Sequence, residues 1–129
     1  MSRSLRLADR EIATELPSFV MGIVNATPDS FWASSRTQST AAGAESAFAL
    51  VEAGADIIDI GGESTRPGSD YVSEAEELSR VIPLVREIRR ISSVPISIDT
   101  RKSAVMRAAL DEGADICNDI SALADDPAL

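Results

Sequence analysis

Histidine is absent from this 129-residue chain, and cysteine and lysine occur once each, as Cys117 and Lys102. One cysteine cannot form an intramolecular disulfide, and without histidine a Cys/His zinc site lacks its ligand set. Nothing resembles a Ser-His-Asp triad, a Walker loop or a GxGxxG fingerprint. Any lysine-dependent chemistry would have to use Lys102 or lie outside this chain. Positive charge is scarce: Lys and Arg total 12 against 21 Asp and Glu, a net charge of −9. That balance argues against nucleic acid or an anionic membrane surface as partner. Long apolar runs are lacking too. There is no secretory h-region at the N-terminus and no run long enough to span a bilayer, so a soluble cytoplasmic protein is the expectation. Cys117 sits in an apolar run and reads as a small core residue.

What is present is an apolar fraction of 44%, enough for a real core. Short apolar runs alternate with amphipathic segments. Phe19 to Val24 reads as a first strand and Thr40 to Ala53 as a helix, with Ala44, Ala47, Phe48 and Val51 on one face. Gly54 suits the residue just past its end. Ile57 to Ile60 is a second strand. The helix from about Ser73 to Arg90 opens with a capping box, Ser73 and Glu76, and buries Leu78, Val81, Ile82, Val85 and Ile88. Pro83 should kink it or split it near Val81; the reading is one bent helix. Pro95 to Asp99 is a third strand, Lys102 to Glu112 a helix capped by Thr100, and Ile116 to Ile120 contains a fourth strand. Gly54-Ala55-Asp56-Ile57-Ile58-Asp59 is echoed by Gly113-Ala114-Asp115-Ile116-Cys117-Asn118, which supports repeated βα units on a parallel sheet. Asp125-Asp126-Pro127 look like the start of a further helix. The expected fold class is α/β, a partial domain with open strand edges and an uncovered sheet face.

Polar groups stand at the carboxyl end of every strand, where parallel α/β folds build their sites. They are Asn25, Asp59 with Glu63 to Arg66, Asp99, and Asn118-Asp119. Singly, each has a plain structural role: Asn25 an Asx-turn, Asp59 a buried carboxylate ordering its loop, Asp99 a helix cap, Asn118 a turn former, Arg66 a solvated arginine. Together they suit a polar heterocycle and a phosphorylated group. A carboxylate pairs with an amino-pyrimidine edge through two parallel hydrogen bonds. Arg66, Ser64 and Thr65 can hold leaving-group oxygens, and Asn25 could help hold Mg²⁺ against a pyrophosphate.

Four blocks in this order resemble dihydropteroate synthase: Met21-Gly22-Ile23-Val24-Asn25-Ala26-Thr27-Pro28-Asp29-Ser30-Phe31, Asp59-Ile60-Gly61-Gly62-Glu63-Ser64-Thr65-Arg66-Pro67-Gly68, Ser97-Ile98-Asp99-Thr100-Arg101-Lys102, and Asn118-Asp119-Ile120-Ser121. The resemblance implies a partial (β/α)8 TIM barrel, the first four βα units with the fourth helix missing. It divides the chain into a lead segment, 1–17, and the N-terminal half of a pterin-binding barrel, 18–129. It implies transfer of a dihydropterin methylene group from its pyrophosphate ester to p-aminobenzoate, a step of folate synthesis, with Mg²⁺ as cofactor and a homodimer at full length. Asn25 becomes the metal and pyrophosphate residue. Thr65 and Arg66 become substrate and pyrophosphate contacts, and Asp99 and Asn118 pterin contacts. Asp99 and Arg66 are the candidates for catalysis, with Asp59 and Ser64 in support.

Two departures stand against that pattern. The family usually continues its first loop with Ser-Asp-Gly-Gly after the Phe, but here Phe31 is followed by Trp32-Ala33-Ser34-Ser35 and no glycine until Gly43. Its later pterin contacts, an acid, a lysine and a Ser-x-Arg-His element, do not occur in this stretch, so the 129 residues alone are expected to be inactive. The competing readings are a synthase-like paralogue with altered or no catalysis, a methyltransferase-type pterin barrel, and a half-barrel that dimerises to cover its edges. The Thr65-Arg66-Pro67-Gly68 loop argues against the methyltransferase.

Overall fold

The computed structural model describes residues 2–26, 35–62, 72–119, 121, 124 and 126–129, and only the backbone of 35–39. Among the described residues nine elements follow one another: β1 (Arg3–Arg6), β2 (Glu11–Thr14), β3 (Met21–Asn25), α1 (Ser35–Glu52), β4 (Ile57–Gly61), α2 (Glu74–Ile91), β5 (Ile96–Asp99), α3 (Ser103–Asp111) and β6 (Ile116–Asn118). The last four strands form one parallel sheet in the order β3-β4-β5-β6. Its sequential order and intervening helices match the expected series of βα units, as an open sheet and not a closed barrel.

Alternation along each strand sorts the sheet into two faces. Val24, Ile58, Ile60, Ile96 and Ile98 lie on the helix side and are buried with Ala44, Ala47, Val81, Leu84, Val85, Ile88, Val105 and Met106. Each fully buried isoleucine contributes about 1.5–3 kcal/mol. Gly22 marks how closely α1 approaches, since a Cβ there would meet Leu50 at 3.0 Å. The other face carries Asn25, Asp59, Ser97, Asp99 and Asn118. It is open at β3, where Ile23 is 68% and Met21 43% exposed.

The repeated Gly-Ala-Asp is one device used twice. Gly54 and Gly113 take φ of 114° and 110°, which ends the preceding helix. The next amide, of Ala55 or Ala114, donates to the carbonyl of Leu50 or Ala109. Each aspartate then grips an earlier segment: Asp56 N–H donates to Val20 O while its carboxylate accepts from Val20 N–H, and Asp115 does the same with Ile96.

Residues 1–17, the lead segment, contain the β1–β2 hairpin. Arg10 ties it to the amino end of the sheet, donating to Asp115 and to the Ser93 carbonyl. The long helix is one element, as expected: α2 runs through Pro83, with Ser73 accepting from Glu76 N–H at its start. Its buried stripe is Glu77, Val81, Leu84, Val85 and Ile88, with Leu78 and Ile82 only partly buried. Thr100 does not cap α3. Lys102 holds the cap position without a side-chain bond, and Ser103 N–H donates to Asp126 instead. Asp126 accepts from the start of α3 and residues 126–129 form turns, while Asp125, read with them as a helix start, lies outside the described residues. Cys117 is exposed, not core, although its register partner Ile98 is fully buried. β6 is the sheet edge, and Cys117 lies in a groove with Met106, Leu110 and Leu129 that no further described element covers.

Asp115 is the charge centre of the amino end, with its side chain 7% exposed and both Arg10 and Arg89 on it. Removing it takes the buried counter-charge from two guanidinium groups, which keep only backbone carbonyls and the exposed Asp9, and strands the Ile96 N–H. Asp115→Ala should cost about 3 kcal/mol in urea unfolding, and Arg10→Ala, a more exposed partner, about 1 kcal/mol. Equal losses would show that the carboxylate is not the hub.

Candidate active site

The parallel register places Asn25 beside Gly61, Gly61 beside Asp99, and Asp99 beside Asn118. One row across the carboxyl end of the sheet thus reads amide, glycine, carboxylate, amide. Gly61 adds no side chain, so Asn25 and Asp99 face each other two strand spacings apart, ~10 Å. Two residues below, Asp59 lies in register with Ser97 on the same face. Its Oδ1 accepts from the Ser97 hydroxyl at 2.7 Å and from Asn118 Nδ2 at 3.1 Å. The second bond orients the Asn118 amide. Asp59 therefore supports the site from beneath, as a buried carboxylate ordering its neighbours.

Asp99 is half-buried, and its pKa is raised to about 6. Burial is the main cause, followed by the charges of Asp59, Glu77 and Asp119, with Arg101 opposing them. It is ionised at neutral pH yet poorly solvated, which strengthens any hydrogen bond a ligand donates to it. Beside it, Asn118 offers an amide. An acceptor pair next to an amide matches the donor-rich edge of an amino-pyrimidine ring.

The family model described as pterin binding enzyme matches residues 21–129. The chain belongs to the pterin-binding enzymes. It is 48% identical over 110 residues to a dihydropteroate synthase of Synechocystis, covering 85% of this chain and 38% of that one. It is 49% identical over 110 residues to that of Bacillus subtilis, covering 85% and 39%. The dihydropteroate synthase structure from Xanthomonas albilineans, with 4-aminobenzoic acid, superimposes at TM-score 0.85 and 45% identity over 97% of this chain and 46% of that one. The Burkholderia cenocepacia synthase, complexed with 7,8-dihydropteroate, matches at TM-score 0.77 and 47% identity, over 97% and 40%. The chain spans less than half the length of these relatives.

Of the site residues expected from the sequence, this pterin-binding enzyme brings Asn25, Asp99 and Asn118 into one row with Asp59 below. Ser64, Thr65 and Arg66 lie outside the described residues, as does the divergent stretch Trp32 to Ser34. What sequence reasoning missed is a charged cluster behind the row. Glu77, fully buried, accepts from Lys102 Nζ at 2.6 Å and from the Thr100 hydroxyl. Lys102 is held in that pair, its ammonium buried against the Glu77 carboxylate. A signal for Glu77 existed, since it stands four residues before Val81 on the same helical stripe.

The raised Asp99 pKa has a definite sign for stability. Between about 3.8 and 6 the folded chain keeps a proton that the unfolded chain releases, so stability falls as pH rises through this window. Asp99→Asn mimics the protonated form. Its melting temperature relative to the parent should rise from pH ~4 to pH ~7, and a flat difference would contradict the raised pKa.

Proposed function

We propose that the chain is the pterin- and pyrophosphate-side part of a dihydropteroate synthase, which joins a dihydropterin methylene group to p-aminobenzoate with loss of pyrophosphate. The observation that carries the reading is the carboxylate–amide pair Asp99–Asn118, its amide oriented by Asp59. The ring edge donates to Asp99 and exchanges hydrogen bonds with Asn118, which fixes the methylene carbon relative to the sheet. The amine nitrogen of p-aminobenzoate attacks that carbon, the carbon–oxygen bond to pyrophosphate breaks, and the amine loses a proton. Positive character develops on the methylene carbon as pyrophosphate departs. The negative charge of Asp99 at the ring favours it.

Mg²⁺ fits the residues present in a restricted way. Among the described residues no group of three or more His, Cys, Asp or Glu could hold a metal by itself. Asn25 is exposed at the end of β3 and offers one amide oxygen. Mg²⁺ prefers a few protein oxygens together with substrate phosphates and water, so Asn25 would share it with the pyrophosphate. The cation would neutralise the leaving group. Thr65 and Arg66, on the segment that follows β4, are the proposed remaining contacts to pyrophosphate. Among the described residues no helix is long and apolar enough to cross a membrane. A cytoplasmic enzyme that is a homodimer at full length completes the proposal.

Two outcomes test this reading. Dihydropterin pyrophosphate with Mg²⁺ should raise the melting temperature of the 129-residue chain, and Asp99→Ala should remove the shift; no shift in the parent sinks the binding site. The same chain alone should form no dihydropteroate. Turnover by pure protein would show that the contacts of the later barrel strands are dispensable.

A further inference from the structure

The Glu77–Lys102–Thr100 cluster is not explained by packing alone. A carboxylate and the chain's only lysine have been taken out of water, where a well-packed apolar pair would serve stability as well or better. What the charged pair adds is directed bonds, and these end on loops at the carboxyl end of the sheet. Glu77 accepts from Thr100, the residue after Asp99, and from Lys102. The Thr100 hydroxyl accepts from Lys102 N–H at 3.2 Å, and Thr100 N–H donates to the Asn118 carbonyl at 3.2 Å. On its other side Glu77 abuts Gly62, where an added Cβ would lie 3.0 Å from Glu77 Cγ and 2.8 Å from Val81 Cγ2. One turn along α2, Arg80 donates to the Gly62 carbonyl at 2.8 Å.

We propose that Glu77 is a positioning residue of the pterin site: through Thr100 and Lys102 it holds the loop that presents Asp99, and through its contact with Gly62 it ties that loop to the end of β4. The role rests on the pterin-binding reading above, but its test can be read separately.

The test uses the 129-residue chain with Thr100→Val, which keeps shape and removes the hydroxyl, and Thr100→Ser, which restores it. Two quantities are read: affinity for 6-hydroxymethylpterin by calorimetry, and the Asp99 carboxyl titration by carbon-13 NMR. Among the described residues, Asp99 is faced by Asp59 from β4, Glu77 from α2, Asp119 after β6 and Arg101 from its own loop. None of these is changed by the substitution. In folded Thr100→Val, pterin binding should weaken about tenfold, the loss of one directed tie. The Asp99 midpoint should fall from about 6 toward the ordinary carboxylate range as the loop loosens. Serine should restore both. A purely structural Glu77 would lower the melting temperature and leave the midpoint in place, which overturns the proposal. Failure of serine to restore the midpoint also overturns it. If Thr100→Val does not fold, Gly62→Ala replaces it, pressing on Val81 and Glu77 from the end of β4; an unmoved Asp99 midpoint there has the same consequence. Absence of pterin binding by the parent defeats the pterin reading, while the titration still decides the role of Glu77.

Discussion

The register of the parallel sheet is the constraint on which the site depends. Strand pairing by itself tolerates slippage, and a slip of one residue would turn every side chain to the other face. Here the register is held at the amino ends. Asp56 grips both backbone groups of Val20, and Asp115 grips both of Ile96. With the strand starts fixed, the strand ends follow, because β3, β4 and β5 run nearly equal lengths from those anchors. Asn25, Gly61, Asp99 and Asn118 arrive in one row for that reason. The candidate row at the top of the sheet is thus set at its bottom, by the two aspartates and, between β4 and β5, by Ile58 N–H donating to Pro95 O.

The second feature is an accumulation of acid. Asp59, Glu77, Asp99 and Asp119 are close enough that three of them raise the pKa of the fourth. Each of the others has a specific relief. Asp59 accepts from Ser97 and Asn118, Glu77 from Lys102 and Thr100, and Asp119 from the Ser121 backbone and hydroxyl. Asp99 carries the unrelieved share. Hydrogen bonds donated to Asp99 would therefore relieve like-charge repulsion as well as satisfy a half-buried carboxylate.

Much of this was legible in order along the chain. Apolar periodicity located the sheet strands and the three helices to within a few residues, and the Ser73 cap, Gly54 and the Gly-Ala-Asp echo all have the geometry their chemistry suggests. The hairpin was missed because β1 and β2 lack an apolar run, being anchored by Arg10 and a single buried Leu7 instead. Cys117 was misplaced because an apolar neighbourhood in sequence does not say whether anything covers that face. Thr100 was assigned to the nearest helix start, which is what a hydroxyl before a helix ordinarily does. Its bond goes to a glutamate 23 residues earlier.

Sequence alone determined the types of the elements from β3 onward and the residues that stand at strand ends, because periodicity and turn chemistry are local properties of the chain. It also placed the chain among pterin-binding enzymes through short blocks of neighbouring residues. Only the tertiary structure decided which polar groups meet. Asp59 reaches Asn118 across 59 positions, Glu77 reaches Lys102 across 25, and Arg10 reaches Asp115 across 105. Such pairs depend on how helices seat against the sheet and how strands align, and no local rule encodes them. Whether a charge is solvated, buried or shared is settled by that packing, and the behaviour of Asp99 follows from it.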